Sequence, residues 1–289
     1  MPIMTEEDVR YNQLIKTFAS EPTPGFESQS EQDFVWGQSW GCRNDVGRLR
    51  AVLMHRPGDE LNIVDPAKKI EELGAYGDPD VGWYWRGATP PDLPAMQAQH
   101  DALVKVLEEN QVKVVMLDAC AEGRMKSCYT RDVVIAVDGG AIVCRLGPRV
   151  RRGEEQPATR TLAKLGMPIL RTIHGSGIME GGSFAWLNED TAVIGVSSRV
   201  NAEAADQIEE VLNRQGVELL RMEVPGFRLH IDGMLVMVDV DTALINPILL
   251  PFAFMEELKA RGIKLIELSP EDEPFTINCL AIAPGRHRM

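Results

Sequence analysis

The feature that most constrains the fold of this chain is a recurring unit of a β-hairpin, an amphipathic helix and a closing strand. The clearest copy has two apolar runs, 133–137 and 141–145, on either side of the tight-turn signal Asp138-Gly139-Gly140. A helix near 153–165 and a strand over 168–173 follow this hairpin. Hairpins of the same pattern recur about every 50 residues, with starts at Val133, Phe184, Met234 and Ile277. This spacing predicts supersecondary units that need neighbours to bury their apolar faces.

The two middle copies predict helices over 201–214 and 251–260, with closing strands over 217–224 and 263–268. An earlier copy opens at residues 47–58. Its predicted helix and closing strand lie at 93–109 and 112–117. A tryptophan-rich insertion with Trp83 and Trp85 interrupts this copy. Two roles stay open for this insertion, an active-site lid or an oligomer contact.

The pattern divides the chain into two parts. Residues 47–289 form a single predicted domain, and residues 1–46 are a polar arm or lid with a short helix near 6–18. The last copy contributes only its hairpin, which starts at Ile277. Counted in repeats, the sequence therefore holds four complete units and the start of a fifth.

Charge and composition exclude several classes of function. With 43 acidic and 30 basic residues the formal net charge is -13, which disfavours nucleic acid and anionic membranes and favours a small cationic or zwitterionic ligand. The five cysteines lack a CxxC pair, and the five histidines lack metal-site spacing, so we expect reduced thiols and neither a metal nor a cofactor. No stretch approaches the roughly 20 apolar residues of a membrane helix, so we expect a soluble, cytoplasmic protein.

Polar residues cluster immediately before or after the predicted hairpins. At these positions the strands fix the residues in place, and the loops leave them accessible to a ligand. The candidates are Asp132 in Tyr-Thr-Arg-Asp, Glu180 in Glu-Gly-Gly-Ser, Arg199 in Ser-Ser-Arg-Val-Asn, and His230 and Asp232 in His-Ile-Asp. Equivalent positions in successive repeats would bring these loops to one centre. Three carboxylates, an imidazole and a guanidinium there predict a pocket for a cationic substrate that carries a carboxylate.

These motifs, in this order, resemble the guanidino-group modifying superfamily of arginine deiminases, dimethylarginine dimethylaminohydrolases and amidinotransferases. The resemblance covers roughly residues 40–289 and is closest to the deiminase-like members. It implies an α/β fold, a five-fold pseudo-symmetric α/β propeller of ββαβ units, with the fifth unit incomplete. It also implies a hydrolase of arginine metabolism that binds a small guanidino substrate, while the oligomeric state stays open.

The resemblance also implies roles for individual residues. Asp132 and Glu180 would hold the substrate guanidinium, and His230 and Asp232 would be the general acid/base and a second guanidinium-binding aspartate. The residues assigned to the rest of the substrate, above all its carboxylate, are Arg199, Asn201 from the same segment, and either Arg151 or Arg152. A planar guanidinium offers five N–H donors, so flanking carboxylates can fix it and present its carbon to a nucleophile.

Two departures from the superfamily pattern concern the substrate contact and the nucleophile. Ser183 stands where an aspartate often ends the Glu-Gly-Gly motif. The resemblance places the nucleophilic cysteine after a glycine-rich loop beyond Met289, and makes Cys279 a packed core thiol and Cys128 an even weaker candidate. The leading expectation is deimination of arginine or a close derivative through a covalent cysteine–amidino intermediate. Amidino transfer to an acceptor amine and a non-catalytic arginine-binding relic are the alternatives.

Overall fold

The structure consists of small β-sheets that are connected by helices. The computed structural model describes residues 5–17, 24–78, 83–118, 120, 123–226, 228–273 and 276–288. Within these residues the helices are α1 (Glu6–Thr17), α2 (Gln29–Glu31), α3 (Leu93–Glu109), α4 (Glu155–Leu165), α5 (Ala202–Arg214) and α6 (Phe252–Ala260). The first eight strands are β1 (Ala51–Met54), β2 (Lys69–Ile70), β3 (Ala75–Asp78), β4 (Trp83–Arg86), β5 (Lys113–Met116), β6 (Val134–Val137), β7 (Gly140–Val143) and β8 (Ile169–Thr172). The following strands are β9 (Phe184–Asn188), β10 (Thr191–Val196), β11 (Glu218–Glu223), β12 (Leu235–Asp239), β13 (Thr242–Ile245), β14 (Lys264–Glu267), β15 (Leu280–Ala283) and β16 (Arg286–Arg288).

Three consecutive segments have the predicted unit of hairpin, helix and closing strand. In each, the hairpin strands pair antiparallel and the strand after the helix pairs parallel with the second hairpin strand, giving the sheets β6-β7-β8, β9-β10-β11 and β12-β13-β14. The parallel crossover requires an intervening segment of about a dozen residues, which the helix supplies. The chain therefore has the mixed α/β fold expected from its sequence.

The first and last copies are smaller. β1 pairs in parallel with β5, and α3 connects these two strands. The tryptophan-rich insertion forms a separate antiparallel sheet in which β3 lies between β2 and β4. β15 and β16 pair as a hairpin. A shared five-fold axis for these sheets stays a prediction.

Capping residues explain where the helices begin and end. The Asp92 carboxylate accepts a hydrogen bond from the Ala95 N–H, 3.0 Å away, at the start of α3. The Asn201 side chain accepts from the Ala204 N–H at 3.1 Å and begins α5 in the same way. α4 ends at Gly166, whose φ of 78° lies in the left-handed region that glycine adopts without steric cost.

The apolar core lies between neighbouring units. Trp186 on β9 and Ile194 on β10 pack in one cluster with Ile208 and Leu212 of α5, and all four are at least 99% buried. A separate cavity of about 730 Å³ is lined by residues of strands β1, β5, β6, β9, β12 and β15, together with residues of the segment 38–50 and of α4. Within the described residues, no helix is long and apolar enough to cross a membrane.

The predicted helix near 6–18 forms as α1. The end of the predicted arm is bound to the sheets: the Gly139 N–H donates to the Trp40 carbonyl at 3.1 Å, and the Trp186 N–H donates to Asp45 Oδ2 at 3.0 Å. The division into an arm and a domain at residue 47 stays a prediction.

We expect Leu212→Ala to lower the free energy of unfolding by about 2–5 kcal/mol, because it leaves a cavity in the core under α5. The urea midpoint of unfolding measures this change. Asn213→Ala, on the exposed side of the same helix, should stay within about 0.5 kcal/mol of the unaltered protein. Equal effects of the two substitutions would contradict the core packing described here.

Candidate active site

Three loops that each precede the first strand of a hairpin meet at one point. Asp132 ends the 3₁₀ turn before β6, Glu180 precedes the turn before β9, and His230 lies before β12. One potential ligand atom from each of these side chains lies within 4.8 Å of the others. The structure thus brings together residues that are far apart in the sequence.

Glu180 is the most deeply buried member of the site. Its side chain is fully buried, its Oε2 lies 2.7 Å from His230 Nε2, and its Oε1 accepts a hydrogen bond from Arg199 Nη1 at 2.8 Å. Burial raises the pKa of Glu180, but the His230 hydrogen bond and the charges of Arg151 and Arg199 outweigh it and lower the pKa overall. Glu180 is therefore an ionised carboxylate.

His230 faces three carboxylates. Its Nε2 is 3.9 Å from Asp132 Oδ1, and its Nδ1 is 4.0 Å from Asp232 Oδ1, in addition to the Glu180 contact. Burial lowers the pKa of His230, but the hydrogen bond to Glu180 and the negative charges of Asp132 and Asp232 raise it overall. The imidazole is thus biased toward its protonated form, which can donate a proton.

Gly182 joins the two aspartates through its backbone. Its N–H donates to Asp132 Oδ1 at 3.0 Å, and its carbonyl accepts from the Asp232 N–H at 3.1 Å. A Cβ at this position would lie 2.8 Å from Asp232 Oδ2 and from His230 Nδ1, and 2.9 Å from Asp132 Oδ1. Only glycine lets the three side chains approach this closely. Burial raises the pKa of Asp232, against the charges of Arg131 and His230.

Arg151 is the member of the predicted arginine pair that lies at the site. Its Nη1 donates to Asp132 Oδ2 at 2.6 Å and lies 3.5 Å from Glu180 Oε2, whereas Arg152 is exposed. Arg151 Nη2 also donates to Glu154 Oε2 at 2.8 Å. Burial raises the pKa of Glu154 to about 7, although the hydrogen bond and charge of Arg151 oppose this shift.

Sequence reasoning missed Glu154 and the position of Arg131. Glu154 lies three residues after Arg151 in Arg-Arg-Gly-Glu, and the two residues are joined across a turn in which the Glu154 N–H donates to the Arg151 carbonyl at 3.1 Å. Arg131 Nε is 3.9 Å from Asp232 Oδ2, and its Nη2 donates to the Phe184 carbonyl at 3.1 Å. Both residues neighbour predicted site residues in the sequence, which was the signal that could have identified them.

Asn201 and Ser183 have local structural partners. The Asn201 side chain caps α5, accepts from the Ile178 N–H at 3.1 Å and donates to the Ser176 carbonyl at 2.9 Å. The Ser183 hydroxyl donates to the Leu229 carbonyl at 3.2 Å. The role of Asn201 in substrate binding stays a prediction, as do the roles of the other predicted residues.

Asp132, Glu180 and His230 are also residue types that bind metal ions. The guanidinium of Arg151, however, lies directly on Asp132, and that of Arg199 lies on Glu180. A divalent cation among these donors would face two positive charges at close range. The carboxylates of this donor set are thus already paired with guanidinium groups of the chain.

Two thirds of the chain match a known protein family. A family model for eukaryotic N,N dimethylarginine dimethylhydrolase matches residues 94–287. The chain belongs to this family. Asp132, Glu180, Arg199, His230 and Asp232 all lie within the matched range.

Relatives in the same superfamily carry three different descriptions. The uncharacterized protein YkgA of Bacillus subtilis is 25% identical over 85% of this chain and 78% of its own. An N(G),N(G)-dimethylarginine dimethylaminohydrolase of Pseudomonas aeruginosa is 27% identical over 66% of this chain and 71% of its own. An arginine deiminase of Listeria innocua is 21% identical over 71% of this chain and 68% of its own. The resemblance to the guanidino-group modifying superfamily is confirmed.

Solved structures share the fold. The Pseudomonas aeruginosa dimethylarginine dimethylaminohydrolase in complex with citrulline has a TM-score of 0.64 at 22% identity, covering 81% of each chain. The product-bound N-terminal domain of ArgZ, a cyanobacterial arginine dihydrolase, has a TM-score of 0.64 at 15% identity, again covering 81% of each chain. SxtG, an amidinotransferase from Microseira wollei, has a TM-score of 0.62 at 14% identity, covering 84% of this chain and 83% of its own.

We expect Glu180→Gln to lower the pKa of His230, because the substitution removes a carboxylate 2.7 Å from Nε2. Titration of the imidazole by NMR measures the change. The pKa of His230 in the folded protein lies above the ordinary value of about 6.5, which applies to the unfolded chain. The stability gained from protonated His230 is therefore complete below about pH 6.5. It is lost as the pH rises through the folded pKa.

Glu267→Gln is the matched control, because it removes an exposed carboxylate on β14. It should leave the His230 titration unchanged. An unchanged His230 pKa in Glu180→Gln as well would show that Glu180 does not set the protonation of the imidazole.

Proposed function

We propose that this protein hydrolyses the guanidino group of arginine or a close arginine derivative through a covalent cysteine–amidino intermediate. One observation carries the proposal: the carboxylates of the site already bind guanidinium groups, those of the chain's own arginines. Asp132 accepts from Arg151 at 2.6 Å, and Glu180 accepts from Arg199 at 2.8 Å. Membership of the dimethylarginine dimethylhydrolase family and similarity to arginine deiminases support the same reaction class.

Substrate binding is an exchange of guanidinium groups in this proposal. The substrate guanidinium binds to the carboxylates of Asp132 and Glu180, and Asp232 lies beside them as a third carboxylate. Arg151 and Arg199, released from these contacts, turn to the substrate carboxylate. Each buried carboxylate keeps a guanidinium partner through the exchange, so the cost of desolvating it does not recur when substrate binds.

The reaction then needs a nucleophile and a proton donor. A cysteine thiolate attacks the guanidinium carbon and gives a tetrahedral adduct. Protonated His230 donates to the leaving amine and, as a neutral imidazole, afterwards deprotonates the attacking water. The contact of His230 Nε2 with Glu180 supports this role, because it holds the proton-bearing nitrogen beside a guanidinium-binding carboxylate.

We also propose that the sheets form a five-fold pseudo-symmetric propeller within the domain 47–289, with residues 1–46 as an arm. The lining of the 730 Å³ cavity by β1, β6, β9, β12 and β15 supports this arrangement. The position of three site loops before β6, β9 and β12 is also as expected for related units. The cytoplasmic location inferred from the unpaired cysteines stays a prediction.

Calorimetry and product analysis test the proposed function. We expect L-arginine or a methylated arginine to bind, and Asp132→Asn to weaken binding by at least about tenfold, or about 1.4 kcal/mol, because one guanidinium partner loses its charge. Asp206→Asn, which removes an exposed carboxylate on α5, should bind as the unaltered protein does. Ammonia, dimethylamine, citrulline and ornithine are the products to quantify.

The outcomes separate the alternatives. Failure of every guanidino compound to bind would overturn the proposed site. Binding without any product would favour a binding protein over an enzyme. Transfer of the amidino group to an added acceptor amine, in preference to water, would favour an amidinotransferase.

We expect Gly182→Ala to weaken arginine binding by at least about tenfold, because its Cβ would push Asp232, His230 and Asp132 apart. The matched control is Gly233→Ala, since a Cβ there would meet nothing within 4 Å. Calorimetry compares the two variants, and the urea midpoint checks that both are folded. Equal affinity in the two variants would contradict a binding centre at Gly182.

A further inference from the structure

A second group of reactive side chains lies outside the site around Glu180. His55 is placed between a carboxylate and a thiol: its Nε2 is 2.9 Å from Glu60 Oε1, and its Nδ1 is 3.8 Å from Cys120 Sγ. The side chains of His55 and Glu60 are only 10% and 8% exposed. The order thiol, imidazole, carboxylate is that of an activated nucleophile, its base and the group that orients the base.

The fold brings these residues together through a pair of parallel strands. β1 pairs with β5, with Met54 opposite Met116, so the chain leaves both strands at the same edge. His55 follows β1 directly, and Cys120 comes four residues after the end of β5. Side chains at the carboxyl ends of neighbouring parallel strands commonly form sites for this reason.

Glu60 is held in place independently of His55. It lies in the first turn of the 3₁₀ segment Asp59–Ile63, and its Oε1 also accepts a hydrogen bond from the Gly58 N–H at 2.9 Å. The His55 hydrogen bond contributes to a lowered pKa of Glu60 against the effect of burial. An ionised Glu60 fixes the Nε2–H tautomer of His55 and leaves Nδ1 facing the thiol.

The Glu60 carboxylate and the hydrogen bonds around His55 favour the protonated imidazole. Burial lowers the pKa of His55, but the hydrogen bonds and charges of Cys120 and Glu60 outweigh it and raise the pKa to about 9. Nδ1 lies 3.8 Å from Cys120 Sγ, so this ring is in position to accept the thiol proton. By contrast, burial raises the pKa of Cys128 to about 11.

Other titratable and charged groups near this cluster are His100 and Asp101 on α3, Arg56, and Cys128, which interacts with Glu60. Burial lowers the pKa of His100, so this ring stays neutral beside His55. Arg56 is paired with Asp101 at 2.7 Å. Neither the ring nor this ion pair adds a net charge that would oppose an imidazolium at His55.

We propose that Cys120, His55 and Glu60 form a nucleophilic thiol site for small uncharged carbon electrophiles such as α,β-unsaturated carbonyl compounds. His55 Nδ1 takes the thiol proton, and the Cys120 thiolate forms a bond to the β-carbon of the electrophile as its C=C π bond breaks. The electron pair moves to the α-carbon, which takes the proton back from His55. Partial burial of Cys120 restricts the site to small molecules.

Acrylamide is the probe, and peptide mass spectrometry gives the rate at each cysteine between pH 5.5 and 9. At pH 7 we expect Cys120 to react about tenfold faster than half-buried Cys279, whose pKa burial raises. His55→Gln should slow the reaction of Cys120 about tenfold at pH 7, because the thiol loses its base. Glu60→Gln should give a smaller loss.

His100→Gln is the matched control, because it alters the neighbouring ring without touching the thiol, and Cys120 should react in it as in the unaltered protein. Equal rates at Cys120 with and without His55 would overturn the proposal. If His55→Gln fails to fold, as judged by the urea midpoint, the cysteine rates of the unaltered protein are the test. A Cys120 rate at pH 7 no higher than that of Cys279 would then overturn the proposal, and the expected tenfold excess would support it.

Discussion

The buried carboxylate of Glu180 is the constraint on which the site depends. A lone carboxylate at this depth would lose several kcal/mol of hydration free energy. His230 and Arg199 each hydrogen-bond to one of its oxygens, and Arg151 adds a charge 3.5 Å away. Glu180 therefore stays charged only while these cations surround it, so the site forms as one electrostatic unit.

This unit is close to neutral although the chain as a whole has a formal charge of -13. In the described part of the chain, four carboxylates meet four cationic groups there: Asp132, Glu154, Glu180 and Asp232 with Arg131, Arg151, Arg199 and His230. The surplus negative charge lies elsewhere on the molecule. In the proposed exchange, a cationic ligand would be drawn by the general field before it replaces the arginine partners of the site carboxylates.

The local patterns in the sequence were sufficient to predict most of the secondary structure. Alternating apolar runs around Asp138-Gly139-Gly140 predicted the hairpin of β6 and β7, and the helix predicted over 93–109 forms over those residues as α3. Turn residues and apolar periodicity act over a few neighbours, so a single sequence carries them. The existence of three loops with Asp132, Glu180 and His230 was also predictable from the repeat.

What the sequence could not show was which partner each charged group would choose. Arg151 and Arg152 are adjacent and chemically identical, and only the path of the chain after β7 buries the first and exposes the second. The role of Glu154 depends on that same choice, because its carboxylate pairs with the buried arginine. Contacts of this kind depend on tertiary packing, which side-chain type alone does not determine.

Asn201 links the stability of a helix to that of the site. Its side chain caps α5 and binds the backbone of Ile178 and Ser176, and Ile178 is two residues before Glu180. Local unfolding of the first turn of α5 therefore releases the segment that carries the buried carboxylate. A ligand held by Glu180 would oppose that opening, so binding at the site would slow amide hydrogen exchange in the first turn of α5.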